Sequence, residues 1–156
     1  MTAAFMAAGA PSSKLHAAGN DAYTVKPDDI SYTVRIKKSY DAVIDDLKDS
    51  IMDHNYKIVN VSDIQKGISG RTGAPPIGKY KIYEFCNLSL AEKLLTKDLR
   101  FGVLMPCRAN IYEDRGEVVI MTMRPTFVVK TFGDPSLMGL AEQVEKEMKE
   151  IIDAVK

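Results

Sequence analysis

The sequence predicts an α+β domain, in which helices cover one face of a mainly antiparallel sheet. Two long stretches, one after Ser39 and one after Asp134, carry an apolar stripe on one side only. Such a stripe is typical of helices that pack on a single surface. Several shorter stretches alternate apolar and polar residues, as strands with one buried face do. The order is strand, helix, strand, a loop-rich insertion, several strands and a long helix, which favours the α+β class.

The first elements follow from local signals. Residues 30–37 alternate and predict a strand, and Ser39 is a suitable N-cap for a helix that ends near His54 and Asn55. Residues 56–64 predict a second strand. Residues 66–79 are so rich in Gly and Pro that they predict a loop, which is a candidate flap over a pocket.

The remaining elements are shorter, except for the last. Residues 80–86 predict a third strand, and residues 89–96 predict a short helix with Ser89 as its N-cap. Residues 107–113 and 117–123 predict a hairpin around a three-residue turn, Asp114-Arg115-Gly116. Residues 126–132 predict an extended segment, and Asp134-Pro135 predicts the start of the last helix.

The three-residue turn fixes which residues of the hairpin share a face. If Glu113 lies opposite Glu117, one face is apolar and is expected to meet the helices; it holds Cys107, Ala109, Ile111, Val119, Met121 and Met123. The other face is mixed and holds Arg108, Asn110, Tyr112, Val118, Ile120 and Thr122. In this register Cys107 points to the core and Arg108 points away from it.

Composition limits the classes of function. Among 156 residues, Lys plus Arg and Asp plus Glu number 21 each, so no basic excess favours nucleic acid as a partner. No apolar run approaches the roughly 20 residues that cross a bilayer, so no membrane span is predicted. Two cysteines are too few for a disulfide scaffold.

The N-terminal residues differ in composition from the rest. Residues 1–28 are rich in Ala, Gly and Ser and predict a flexible tail before a single domain at 29–156. Ala8-Gly9-Ala10 resembles a signal-peptide cleavage site, but a positively charged segment before it is missing. The tail therefore leaves two locations open, cytoplasmic or exported to the periplasm.

The central segment, residues 85–114 (FCNLSLAEKLLTKDLRFGVLMPCRANIYED), resembles the signature of the domain of unknown function 302 family. The matching positions are Cys86, Asn87, Ala91, Leu104, Pro106 and Cys107, whereas Leu88 replaces the proline of the family pattern. The resemblance extends from about Ile30 to Val155. It implies a β-α-β(4)-α arrangement similar to that of the TATA-binding protein, and a homodimer. It implies no established activity.

The two cysteines allow three interpretations. Cys86 and Cys107 are buried thiols that fill the core, a disulfide or redox pair, or ligands of a metal or cofactor. No C-x-x-C or H-E-x-x-H motif accompanies them, and the histidines, His16 and His54, lie in the tail and at a helix end. The identity of any metal or cofactor stays open.

We therefore expect a non-catalytic module that binds a small-molecule ligand or a partner through the open face of the sheet, as a homodimer. The alternative is a thiol-dependent protein that handles redox or sulfur chemistry, or binds a metal or cofactor, with Cys86 and Cys107. The candidate binding residues are Cys86, Asn87, Cys107, Arg108 and Tyr112. Among them, Cys107 is expected to be mainly structural, and Arg108 is expected to contact an anion or a partner. No catalytic residue is predicted, and whether the protein is an enzyme stays open.

Overall fold

The computed structural model describes residues 30–73 and 77–156. Its five strands form one antiparallel sheet in the order β1-β5-β4-β3-β2. The strands are β1 (Ser31–Ile36), β2 (Lys57–Asp63), β3 (Tyr80–Cys86), β4 (Cys107–Asp114) and β5 (Glu117–Met123). Within this part of the chain, no helix has both the length and the apolar character needed to cross a bilayer.

Within the described residues, five α-helices accompany the sheet: α1 (Tyr40–Asp53), α2 (Ile64–Thr72), α3 (Leu88–Lys97), α4 (Pro125–Phe132) and α5 (Met138–Asp153). Short 3-10 helices span Leu99–Leu104 and Pro135–Leu137. The α+β prediction is confirmed, and the strands, α1 and α5 follow the expected β-α-β(4)-α order with three shorter helices added. The similarity to the TATA-binding protein stays a prediction.

Helix α1 is built as its sequence predicts. The Ser39 hydroxyl accepts a 3.3 Å hydrogen bond from the backbone N–H of Ala42, which caps the helix. Leu47 and Ile51 are fully buried in the core between the sheet and α5. The hydroxyl of Ser50 donates a 2.9 Å hydrogen bond to the carbonyl of Ile151, so a polar contact as well as apolar packing joins α1 to α5.

Helix α5 begins later than predicted: Asp134 caps the 3-10 turn Pro135–Leu137, and the α-helix itself starts at Met138. Its buried side includes Val144, Met148 and Ile152. At its far end, Asp153 accepts a 2.7 Å hydrogen bond from the hydroxyl of Tyr32, which fastens the end of the helix to β1 at the edge of the sheet.

Two predictions about coil and strand were wrong. The predicted loop at residues 66–79 is in part helix α2, which Asp63 caps through a 2.8 Å bond from Lys66 N and which ends at Gly73 with a φ of 78°. The segment 126–132, predicted as extended, is helix α4, with Pro125 in its first turn and Gly133 (φ 70°) at its end. In both cases end signals outweigh composition, since Pro at the start and Gly past the end favour a helix.

The short helix α3 begins one residue earlier than predicted. Asn87, not Ser89, is the N-cap, and its side-chain oxygen accepts a 3.2 Å bond from Leu90 N. Both residue types suit the cap, so the sequence alone does not separate them.

The hairpin register also differs from the prediction. Asp114, not Glu113, lies opposite Glu117, so the turn holds only Arg115 and Gly116, with φ values of 52° and 80°. This one-residue shift moves every side chain of β5 to the other face. The residues that join Cys107, Ala109 and Ile111 on the core side are therefore Val118, Ile120 and Thr122.

The opposite side of the sheet is here named the open face. Its central strands contribute Ile82 and Glu84 from β3, Arg108, Asn110 and Tyr112 from β4, and Val119, Met121 and Met123 from β5. Val119 is fully buried there, between its strand neighbours Arg35 and Tyr112. The predicted tail, residues 1–28, lies outside the described residues.

Candidate functional site

A cavity of about 430 Å³ lies at the end of the sheet where β3 ends and β4 begins. Most of its wall is apolar, and α3, the following 3-10 helix and α5 each contribute apolar side chains to it; examples are Leu90, Leu94, Phe101, Ala141, Val144 and Met148. Cavities of this size and apolar character are typical of small-molecule sites. The cavity extends around the sheet end and also reaches residues of the open face.

Asn87 lines the cavity, and its side chain holds the wall in place. As the N-cap of α3 it fixes the point where the chain leaves β3, so Leu90, Ala91 and Leu94 face inward. Asp98 does the same for the 3-10 helix through bonds from Arg100 N (2.8 Å) and from the Arg100 guanidinium. The side of the cavity formed by α3 and the 3-10 helix is therefore held in position by the N-caps of these two helices.

The two cysteines line the cavity as free thiols. Cys107 pairs with Phe85 in the sheet and faces the core, whereas Cys86 is the next residue along β3 and by alternation faces the open side. Burial, followed by the proximity of Cys86, raises the pKa of Cys107 from 9.0 to about 12. Burial also raises the pKa of Cys86. Neither environment favours a thiolate, which is the reactive form.

Tyr56 forms part of the wall between the sheet and α5. Its hydroxyl donates a 2.8 Å hydrogen bond to Glu147 Oε2, and Gln143 donates a 3.0 Å bond to the other oxygen of that carboxylate. Its ring meets Phe85 edge-on at 5.7 Å between centroids. Burial first, and this hydrogen bond second, raise the pKa of Tyr56, so the phenol stays neutral.

A polar strip lies where the cavity reaches the open face. Arg108 Nε donates a 2.9 Å hydrogen bond to Glu84 Oε1, and Asn60 Nδ2 donates a 3.1 Å bond to Glu84 Oε2. Mainly through the bond from Arg108, these contacts lower the pKa of Glu84. Arg108 and Glu84 both line the cavity, and the side chain of Arg108 is 57% exposed.

Asn110 continues this strip into the sheet. Its amide donates a 3.3 Å bond to the carbonyl of Met121, and its oxygen accepts a 3.5 Å bond from the hydroxyl of Tyr80. Tyr112 lies beyond the cavity, where its ring stacks on Tyr80 at 5.3 Å between centroids and 7° between planes. Among residues 30–73 and 77–156, no group of three or more His, Cys, Asp or Glu side chains is arranged to hold a metal ion.

The structure thus brings four predicted residues, Cys86, Asn87, Cys107 and Arg108, to one cavity, and leaves Tyr112 outside it. Sequence reasoning missed Tyr56, which immediately precedes β2, and Glu84, which lies on β3. Glu84 could have been identified from the sequence, since the alternation of β3 puts its side chain on the same face of the sheet as Arg108. Tyr56 could not, because its role depends on α5.

Comparison with known proteins agrees with this fold. The family described as Domain of unknown function DUF302 matches residues 32–155. An uncharacterized protein of Aquifex aeolicus (strain VF5) is 35% identical over 79 residues, which cover 48% of this chain and 55% of the relative. The chain thus aligns with about half the length of that curated relative.

A solved structure shows the same fold. The crystal structure of an uncharacterized conserved DUF302 protein from Bacillus stearothermophilus aligns with a TM-score of 0.77 at 24% sequence identity. The alignment covers 81% of this chain and 98% of the other. At this identity the likeness concerns the fold alone.

Proposed function

The chain belongs to the family described as Domain of unknown function DUF302, and we propose that it binds a small, mainly apolar molecule in the cavity at the end of its sheet. The observation that carries this proposal is the cavity itself, about 430 Å³ in volume and walled by the side chains of α3, the 3-10 helix and α5. Burial of apolar ligand surface there supplies the main driving force, at about 25 cal/mol for each Å².

The neutral fluorescent dye N-phenyl-1-naphthylamine tests the proposal. Its fluorescence rises on transfer from water to an apolar site, so titration gives a dissociation constant. Ala91→Leu adds bulk inside the cavity, because Ala91 is buried in its wall. Ser89→Leu adds the same kind of bulk to the same helix at an exposed position and is the matched control. We expect Ala91→Leu to weaken binding strongly and Ser89→Leu to leave it unchanged.

A second measurement uses the unaltered protein, in case Ala91→Leu disturbs the fold. Cys86 and Cys107 line the cavity, so a bound dye should slow their alkylation by iodoacetamide. Saturating dye with no protection of either thiol would place the dye elsewhere and contradict the proposal.

We also propose that two copies associate through the open face. Support comes from the half-buried Met121, Ile82 and the stacked Tyr80–Tyr112 pair, with ion pairs from Arg35 to Asp114 (2.6 Å) and Glu117 (3.4 Å) beside them. Apolar patches rimmed by charge are typical of interfaces. Met121→Glu should shift the sedimentation coefficient to that of a monomer. Met52→Glu, on an exposed position of α1, is the control and should leave the dimer intact.

The alternative is a thiol-dependent function in redox, sulfur or metal chemistry. Its support is that both thiols line one cavity. Their raised pKa values and their positions on opposite faces of adjacent strands weigh against it. Titration of purified native protein with and without reductant separates the two functions. Equal thiol counts favour the binding function, and two extra thiols after reduction favour the thiol-dependent one.

A further inference from the structure

We infer that the ligand is an amphipathic organic anion, whose acid group binds the guanidinium of Arg108 while its apolar body fills the cavity. This inference rests on the proposed binding function and adds the chemical class of the ligand. It begins from the uneven distribution of polar groups around the wall. The side chains from α3, the 3-10 helix and α5 are apolar, whereas the charged lining residues, Glu84 and Arg108, are adjacent on the open face.

The geometry of the pair leaves one edge of the guanidinium for a ligand. Glu84 accepts its 2.9 Å bond from Nε, which lies on the side edge of the group. The end edge, formed by Nη1 and Nη2, also has the geometry to bind a carboxylate or sulfonate with two parallel hydrogen bonds. Asn60 holds the other oxygen of Glu84 at 3.1 Å, so the carboxylate is fixed from two sides and orients the guanidinium.

Exposure and apolar surroundings agree with this role. In the single chain the Arg108 side chain is 57% exposed, at the end of β4 opposite the Tyr80–Tyr112 pair of the proposed dimer contact, so an incoming anion reaches it without disturbing the core. Met123, its neighbour on β5, and Pro106 are apolar lining residues close to it. Lys57, which pairs with Cys86 at the end of β2, is exposed and adds a second cation near the same sheet end. An apolar body with one acid group matches this combination, because Arg108 and Lys57 place two positive charges near the sheet end and Glu84 supplies only one carboxylate there.

Two dyes with the same aromatic body test the acid group. 1-Anilinonaphthalene-8-sulfonate carries a sulfonate, and N-phenyl-1-naphthylamine is the same molecule without it. We expect the sulfonate dye to bind the unaltered protein more tightly. Arg108→Gln should remove about tenfold of affinity for the sulfonate dye and leave the neutral dye unchanged, since a charged hydrogen-bonded pair is worth about that factor or more.

Three further variants sharpen the test. Arg108→Lys should restore only part of the affinity, because an ammonium group does not bind an anion through two parallel bonds. Glu84→Gln removes the competing carboxylate and should strengthen binding of the sulfonate dye alone. Arg115→Gln, on a side chain that is 85% exposed in the hairpin turn, is the matched control and should change neither dye.

The outcomes separate the two proposals. If the two dyes bind equally, or if Arg108→Gln weakens both alike, the acid-group inference is wrong and the apolar cavity function survives. If neither dye binds, the proposed function fails, and the inference fails with it. A preference for the sulfonate dye that disappears in Arg108→Gln and grows in Glu84→Gln supports the inference.

Discussion

Arg124 and the buried Glu145 form an ion pair, with 2.9 Å between Nε and Oε1. The pair joins the end of β5 to α5. Glu145 is only 6% exposed, and its carboxylate also accepts hydrogen bonds from Lys149 Nζ (2.7 Å) and from the hydroxyl of Thr126. Glu145 and Lys149 have the i,i+4 spacing of an ion pair on a helix surface, yet this carboxylate is buried and also joins α5 to Thr126 of α4.

The first prediction concerns the acid dependence of stability. Burial alone raises the pKa of Glu145, but the bonds from Lys149, Thr126 and Arg124 outweigh it and lower the pKa from 4.5 to about 2. The stabilisation is therefore present above pH 4.5 and is lost as the pH falls towards 2. Glu145→Gln should lower the free energy of unfolding by about 2 kcal/mol at pH 7. In urea titrations this difference should shrink between pH 4.5 and 2; a constant difference would contradict the assignment.

The second prediction concerns the core between α1 and α5. Leu47 is 0% exposed, so Leu47→Ala should lower the free energy of unfolding by roughly 3 kcal/mol through lost burial and a new cavity. Asp45→Ala, two residues earlier on the exposed side, should change it by less than about 0.5 kcal/mol. Chemical denaturation of both variants measures the difference. Equal costs would mean that α1 is rotated.

The third prediction concerns the thiols. Raising the pKa of Cys107 from 9.0 to about 12 lowers its thiolate fraction roughly a thousandfold at pH 8. Mass spectrometry of the protein treated with iodoacetamide should show Cys86 modified well before Cys107. In guanidinium chloride the two should react at similar rates. Modification of Cys107 in the native protein as rapid as that of Cys86 would contradict the buried, apolar environment assigned to Cys107.

The fourth prediction concerns the hairpin turn. Gly116 has a φ of 80° and Arg115 a φ of 52°, as a two-residue type I′ turn requires. Gly116→Ala should cost roughly 1 kcal/mol, because a Cβ disfavours this region. Arg115→Asn should gain a few tenths of a kcal/mol, since Asn tolerates it better. Thermal unfolding measures both; a stabilising Gly116→Ala would contradict the turn type.

The turn also shows where prediction from sequence succeeds and where it fails. The alternation of β4 placed Cys107, Ala109 and Ile111 correctly towards the core, because that pattern is local to one strand. The prediction of which β5 residues face the core was wrong. It assumed a three-residue turn, which the sequence Asp114-Arg115-Gly116 suggests equally well, because an Arg with positive φ is uncommon. A shift of one position was enough to exchange the two faces of β5.

The errors at α2 and α4 have a similar origin. Two glycines inside α2 and the β-branched residues of α4 lower intrinsic helix propensity, so composition favours loop and strand. The residues at the helix ends indicate helix instead. Asp63 precedes α2, Pro125 starts α4, and a glycine follows each helix. End signals were therefore the better guide here.

The candidate site was predictable only in part. The central family signature pointed to Cys86, Asn87 and Cys107, and the alternation of β4 pointed to Arg108; all four line one cavity. The apolar wall of the cavity was not predictable. Ala141, Val144 and Met148 come from a helix distant in sequence, and in the pattern of that helix they look like ordinary core positions. A cavity is a property of how elements fit together, and one sequence carries no direct signal for the space between them.

The pairing of β1 with β5 bears on synthesis of the protein. Ser31 pairs with Met123, so the first strand has its partner near the opposite end of the described chain. At about 5–20 residues per second, a ribosome releases β1 several seconds before β5 exists. During that interval the apolar side of β1, with Val34 and Ile36, lacks its sheet partner. Nascent chains stalled before β5 should therefore recruit chaperones, and the sheet can close only after β5 has left the ribosome, with α5 covering it last.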